Sequence, residues 1–116
     1  MNKIKLVVNN TRLNKEKISY FFNKNELKII LNLYARKVSE GVWKDYSFNI
    51  TKKNISFSIY KRSSERPVFM IFKNFKIKNE KLKYYISDAQ GNILAMSKNL
   101  ETLIDKIRWH AYKIVN

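Results

Sequence analysis

The sequence predicts an α+β domain in which two helices cover one face of a five-stranded antiparallel meander sheet. Apolar residues recur at helical spacing after Asn23 and again after Asn99. Between these two stretches the apolar period changes from 3.6 to 2, which is typical of half-buried strands. A chain of 116 residues with 45% hydrophobic residues suits one core. We expect this single domain to span residues 22–116.

Residues 1–21 are predicted to form an N-terminal arm. Residues 9–19 are polar, whereas Ile4, Leu6 and Val8 alternate, so the arm is either mobile or begins with a short edge strand. Its longest apolar run is far below the roughly 7–15 residues of a secretory signal. No stretch approaches the ~18 apolar residues of a membrane span. These features favour a cytoplasmic protein without a membrane partner.

The first helix has clear start and stop signals. Asn23 is the expected N-cap, and Glu26 three residues later completes a capping box. Gly41 is placed to end the helix in the left-handed conformation. The apolar stripe between them is expected to contain Leu27, Ile30, Leu31, Tyr34 and Val38.

The strands follow from alternation and turn residues. A four-residue turn between strands 46–50 and 55–59 would pair Phe48 with Phe57 and Ile50 with Ile55. The third strand, 68–77, is apolar on both faces in its first half, so its register stays open. Strands 82–88 and 93–96 flank a tight turn, and a last helix begins near Asn99. Its apolar face is expected to comprise Leu100, Leu103, Ile104, Ile107, Ala111 and Ile114.

Two motifs carry a resemblance to a known family. They are the run 41–46, Gly-Val-Trp-Lys-Asp-Tyr, and the run 61–67, Lys-Arg-Ser-Ser-Glu-Arg-Pro. With the helix start Phe-Asn-Lys-Asn-Glu-Leu at 22–27, the chain resembles the alphaproteobacterial family called domain of unknown function 2794 over about residues 22–108. The resemblance implies these fold boundaries and an alphaproteobacterial origin, and it supplies no activity. By topology alone, the chain is similar to single-strand-binding domains of the Pur-alpha and Whirly types.

The charge of the chain is strongly positive, with 24 basic and 9 acidic residues and a net charge of +15. Such an excess favours polyanionic partners. Residues 1–22 and 42–98 together hold +12 of this charge, which favours one electropositive face. The alternative is codon bias, because Lys, Asn and Ile, which have A/T-rich codons, make up 47 of the 116 residues.

Residue types that catalysis uses are scarce. The chain has no cysteine and a single histidine, His110, which excludes a disulfide scaffold, a Cys-based zinc site and a thiol nucleophile. The spacing of Asp45, Glu65 and Asp88 does not pair them for acid–base chemistry. No P-loop, dinucleotide fingerprint or nucleophile elbow is present. We therefore expect no enzymatic activity, no cofactor and no metal site.

Several basic residues are candidates for phosphate contact. Lys61, Arg62 and Arg66 lie within a seven-residue loop with two serines, a composition suited to phosphate; alternatively, Glu65 pairs with an arginine and stiffens a hairpin. Lys73 begins the lysine-rich segment 73–83, which is either an electrostatic guide for a nucleic-acid backbone or a solvated loop.

Aromatic residues provide candidates for base stacking. Trp43 beside Lys44 suits a base and its phosphate, unless Trp43 instead caps the core. Tyr60 and Tyr85 lie on the strand phase opposite the apolar residues, where aromatics form a stacking platform or a homodimer interface. The sequence thus predicts a basic module that binds single-stranded DNA or RNA with little sequence selectivity. The alternative is a protein-interaction or homodimerisation domain whose basic surface reflects codon bias.

Overall fold

The order of helix, meander and helix is the order that the sequence predicts. The computed structural model describes residues 20–62 and 66–107. The elements are α1 (Lys24–Ser39), β1 (Asp45–Ile50), β2 (Asn54–Tyr60), β3 (Phe69–Asn74), a 3₁₀ turn (Glu80–Leu82), β4 (Tyr84–Asp88), β5 (Ile93–Ser97) and α2 (Leu100–Lys106). The α+β fold class is confirmed.

Helix α1 begins at the predicted capping box. The Asn23 side chain accepts a hydrogen bond from the Glu26 amide at 2.8 Å, and the Asn23 amide donates to the Glu26 carboxylate at 2.7 Å. The helix ends at Ser39. Gly41, two residues later, has a φ of 77°, in the left-handed region, and its amide donates to the Val38 carbonyl at 2.9 Å. Both ends therefore follow from local sequence.

Replacing Gly41 with Ala is expected to lower the free energy of unfolding by about 1–2 kcal/mol, the cost of holding a side chain in the left-handed region. A Cβ at this position would meet nothing within 4 Å, so the loss is conformational and not steric. Gly41→Asn should cost less, because Asn tolerates this region. Urea denaturation measures both variants. An alanine variant as stable as the wild type would show that the helix does not need this conformation.

The sheet is an antiparallel meander in the order β1-β2-β3-β4-β5. Phe48 pairs with Phe57, and Ile50 with Ile55, which confirms the predicted hairpin. The register of β3, open from sequence, is set by the pairing of Phe57 with Ile71.

Strands β3 and β4 are shorter than predicted. After β3, the Phe75 amide bonds to the Lys53 carbonyl at 2.9 Å, so the chain leaves the strand pairing at Asn74. The predicted start of β4, residue 82, lies in the 3₁₀ turn. The Asn79 side chain caps this turn by accepting a hydrogen bond from the Lys81 amide. Strand β4 then begins at Tyr84.

The core lies between the sheet and the two helices. Its fully buried side chains come from α1, the three central strands and α2, and they are Ile30, Ile55, Phe57, Ile59, Ile71, Ile86 and Leu103. Alternate residues of β2, β3 and β4 thus point to the helices. One sheet face is covered by both helices, as predicted.

The buried face of α1 differs from the predicted stripe. Ile30 and Leu33 are buried together with Glu26, whereas Leu31 and Val38 are 36% and 41% exposed. The prediction was wrong for these two residues because it assigned the buried face by apolarity alone. A charged residue occupies that face because the sheet supplies a partner for it, Lys73.

Helix α2 begins as predicted, with the Asn99 side chain accepting from the Thr102 amide at 3.0 Å. It ends at Lys106, earlier than predicted, because the backbone of Ile107 is extended at φ −94° and ψ 132°. Ile107 is nevertheless buried in the core. The predicted positions of Ala111 and Ile114, and the N-terminal arm up to residue 19, lie outside the described residues.

Candidate nucleic-acid interface

The sheet face opposite the helices, here called the far face, contains the candidate stacking residues. The strand register places on it Asp45, Ser47, Asn49, Asn54, Ser56, Ser58, Tyr60, Met70, Phe72, Asn74, Tyr85, Ser87 and Met96. Strand alternation puts them opposite the core residues of the same strands. Tyr60 and Tyr85 therefore share one face, which is the predicted placement.

Two aromatic rings stack at the centre of the far face. Phe72 and Tyr85 are paired across β3 and β4, with ring centroids 4.5 Å apart and an interplanar angle of 10°. Both side chains are half-buried. Burial raises the pKa of Tyr85, so its hydroxyl remains protonated near neutral pH. The pair presents apolar ring surface together with a hydrogen-bonding group.

The rest of the far face is small and polar near β1 and β2. The Tyr60 hydroxyl lies 3.1 Å from the Ser47 hydroxyl. Ser56 and Ser58 are buried in β2 between the neighbouring strands. These small side chains leave the larger rings as the prominent groups of this face.

One end of the sheet, here called the arginine end, contains Lys44, Lys61, Arg62 and Arg66. The Lys44 amide bonds to the Tyr60 carbonyl at 2.8 Å, which brings Lys44 to the end of β2. Lys44, Arg62 and Arg66 are exposed, and Lys61 is half-buried. The middle of the loop, residues 63–65, lies outside the described residues, as does the alternative pairing of Glu65.

The opposite end of the sheet, here called the lysine end, gathers charge from two connections. The β1–β2 turn supplies Lys52 and Lys53, and the Lys53 carbonyl accepts from the Phe75 amide at 2.9 Å. The β3–β4 connection begins at Phe75, and its exposed lysines are Lys76, Lys78 and Lys81. Glu80 is the single acidic residue of these two connections.

The cations flank the far face and do not lie on it. Among the strand residues that the structure describes, the far-face positions hold neither lysine nor arginine. The two charged ends are separated by β2, whose seven residues span roughly 23 Å at about 3.3 Å per residue.

Trp43 is part of the core and does not form a stacking surface. It is 3% exposed, and its ring centroid lies 6.1 Å from that of Tyr34 and 6.4 Å from that of Phe69. The chain turns inward here because the Trp43 amide is bonded to the Lys37 carbonyl at the end of α1. Of the two interpretations from sequence, the one in which Trp43 caps the core agrees with the structure.

Lys73 is likewise removed from the candidate interface. Its register position points to the helices, and the residue is 8% exposed. The ammonium group donates to the Glu26 carboxylate at 2.8 Å and to the Phe21 carbonyl at 3.1 Å. It stabilises the junction of α1 and the sheet and is not available to a phosphate.

Glu26 is the centre of this buried polar cluster. The Tyr84 hydroxyl donates to the second oxygen of its carboxylate. Burial alone would raise the pKa of Glu26, but the hydrogen bonds from Lys73, Tyr84 and Asn23 outweigh it, so the pKa is lowered. Burial and the bond to Glu26 raise the pKa of Tyr84. The cluster is therefore a carboxylate–ammonium pair with a neutral phenol.

The sequence did not identify Phe72, nor the contribution of Lys52 and Lys53 to the lysine end, although it identified the lysine-rich segment 73–83. Phe72 lies in the strand whose two faces are both apolar, so only the pairing with β2 shows which face it joins. The run of lysines in segment 73–83 is visible in the sequence. That this segment lies beside the β1–β2 turn depends on the sheet topology.

The described part of the chain lacks two other kinds of feature. Within residues 20–62 and 66–107 there is no group of three Asp, Glu or His side chains that would hold a metal ion. No helix in these ranges is both long and apolar enough to cross a membrane. His110 lies outside the described residues.

The fold and these surfaces define a small basic α+β domain with a helix-covered sheet. A family model described as "Protein of unknown function (DUF2794)" matches residues 20–104. Because this match covers most of the chain, the protein belongs to the DUF2794 family. No curated protein and no solved structure matched the chain.

Proposed function

We propose that this protein is a non-catalytic, basic module that binds single-stranded DNA or RNA with little sequence selectivity. The observation that carries the proposal is the stacked Phe72–Tyr85 pair on the far face, with cationic groups at both ends of the same sheet. We also propose that the protein is cytoplasmic and of alphaproteobacterial origin.

Stacking is the first contribution. Every nucleobase has a π-face, so aromatic side chains on a sheet bind bases without reading their edges. Phe72 and Tyr85 offer such a surface in the middle of the far face, and Tyr60 adds a third ring towards the arginine end. In a duplex the bases are already stacked on one another, so this contribution favours single strands.

Charge is the second contribution. Phosphate contacts supply most of the sequence-independent affinity for nucleic acid, and they make it dependent on salt. A strand that crosses the far face over the aromatic pair, parallel to the β-strands, would place its phosphates near the arginine end on one side and the lysine end on the other. Phosphate contacts position a strand but carry no sequence information, which accounts for the low selectivity proposed.

The double replacement Arg62→Gln and Arg66→Gln is expected to weaken binding of all sequences alike. Fluorescence anisotropy with labelled single strands of about 12 nucleotides, within the range of known site sizes, should give micromolar or tighter binding at low salt for the wild type. Losing two phosphate contacts should make the log–log salt slope shallower by about 1.4, at about 0.7 per contact on single strands.

The matched control is Lys24→Gln with Lys28→Gln, which removes the same charge from two exposed positions of α1. This control should leave the salt slope close to that of the wild type. Equal effects of the two double variants would mean that overall charge alone governs binding. Absence of binding by the wild type at low salt would reject the proposed function.

A second candidate function is homodimerisation through the far face. Met96 is 38% exposed beside the aromatic pair, and a second copy packed on this face would cover it. Sedimentation velocity distinguishes the two functions, because a dimer that persists at high salt, without nucleic-acid affinity at low salt, would favour dimerisation.

A further inference from the structure

We propose that a cleft beside strand β5 is a phosphate-binding subsite for the sugar–phosphate backbone of the bound strand. The cleft has a volume of about 540 Å³, and its lining includes Lys81, Lys98, Lys106 and Met96. This inference rests on the proposed function for its ligand, but its residues are different from those of the arginine end.

The cleft is continuous with the stacking surface. Met96 lines it and is also the cross-strand partner of Tyr85, which stacks on Phe72. A base stacked on the aromatic pair therefore has its own backbone within reach of the cleft. At the arginine end, the nearest ring on the far face is Tyr60.

The charge of the cleft suits a phosphate group. Three lysines from three separate segments line it, with Glu80 as the acidic residue of its lining. Ammonium groups form strong charge-assisted hydrogen bonds to phosphate oxygens.

The backbone around the cleft is held in place by hydrogen bonds. The Lys106 ammonium donates to the Met96 carbonyl at 2.8 Å, which positions it over β5 and leaves its other N–H groups for a ligand. The Asn79 side chain accepts from the Lys81 amide at 3.0 Å, and the Ser97 hydroxyl accepts from the Asn99 amide at 3.1 Å. The site is thus largely formed before a ligand arrives.

The first test uses sodium pyrophosphate as the probe and backbone amide NMR as the readout. We expect saturable shift changes concentrated at Lys81 and Lys98 in the wild type. They should disappear in the triple variant Lys81→Gln, Lys98→Gln, Lys106→Gln. The control triple variant Lys24→Gln, Lys28→Gln, Arg36→Gln removes equal charge from exposed positions of α1 and should keep them. Shift changes spread evenly over the surface lysines would overturn the subsite.

The second test measures oligonucleotide binding by anisotropy across a salt series. The cleft triple variant should show a slope shallower by about 2, from three lost contacts at about 0.7 each, and the control triple variant should not. An unchanged slope in the cleft variant, with normal wild-type binding, rejects the subsite and leaves the proposed function intact. Localised pyrophosphate shifts without any oligonucleotide binding reject the proposed function and retain the cleft as an anion site.

Discussion

Replacing Glu26 with Ala is expected to lower the free energy of unfolding by about 3–5 kcal/mol, because it leaves the buried Lys73 ammonium without its carboxylate. The two side chains are 6% and 10% exposed and lie 2.8 Å apart. The same replacement removes the acceptor of the Tyr84 hydroxyl and half of the capping box. Chemical denaturation followed by circular dichroism measures the loss.

The control for this variant is Glu101→Ala, which removes an exposed acidic residue from the first turn of α2. It should cost less than about 1 kcal/mol, as expected of an exposed charge near a helix N-terminus. The double variant Glu26→Leu with Lys73→Met removes both charges and should recover part of the loss. A Glu26→Ala protein within about 1 kcal/mol of the wild type would contradict the assigned role of the pair.

The same cluster predicts the direction of a pH dependence. Because the pKa of Glu26 is lowered in the folded protein, its stabilisation is fully present above the unfolded value near 4.5. It is lost as the pH falls through the folded value. The difference in free energy of unfolding between the wild type and Glu26→Gln should therefore become smaller as the pH falls through this acidic range. A gap independent of pH would contradict an ionised carboxylate at this position.

Replacing Tyr85 with Ala is expected to weaken the binding of single strands by about 5- to 150-fold. This range corresponds to the roughly 1–3 kcal/mol that stacking on one aromatic side chain contributes. Tyr85 lies on the far face and stacks on Phe72 at 4.5 Å, so its loss removes half of the platform. Affinity for a duplex of the same length should change little, since duplex bases are not free to stack on the protein.

Tyr46→Ala is the matched control for this variant. Tyr46 is 41% exposed but belongs to the helix-side phase of β1, where its ring stacks on Phe57 at 5.2 Å. Its loss should leave the affinity for single strands close to that of the wild type. Thermal melting establishes that both variants are folded at the binding temperature. Equal losses of affinity in both would mean that Tyr85 does not stack on bases.

The elements that were predicted correctly depend on local signals. The capping box of α1 joins residues three positions apart, and the β1–β2 hairpin follows from alternation on both sides of a short turn. Such interactions are present in any short window of the sequence. These local signals were sufficient to predict the fold class and to place Tyr60 on the sheet face opposite the core.

The features that were missed depend on distant residues. Lys73 and Glu26 are 47 positions apart. Their pairing explains both the buried lysine and the presence of a charged residue on the buried face of α1. The register of β3 decides that Phe69 faces the core and Phe72 the far face. Trp43 has the composition of a stacking site, but the packing of Phe69 against it makes it a core residue.

The candidate interface was therefore predicted only in part. Composition identified the basic loop, the lysine-rich segment and the tyrosines, but it did not show that the two basic segments lie at opposite ends of the sheet. The position of a charged loop depends on the strands that it connects. The sequence did not fix the pairing register of these strands. The cleft lysines come from three segments whose meeting depends on the pairing of β4 with β5.

The most direct test of the account is amide NMR mapping of the protein titrated with an unlabelled single strand at moderate salt. The proposed function predicts the largest shift changes on the far face, at Phe72 and Tyr85, with further changes at the charged sheet ends. Leu31 and Val38 on the outer side of α1 should stay unchanged. Changes centred on α1, with the far face unaffected, would contradict it.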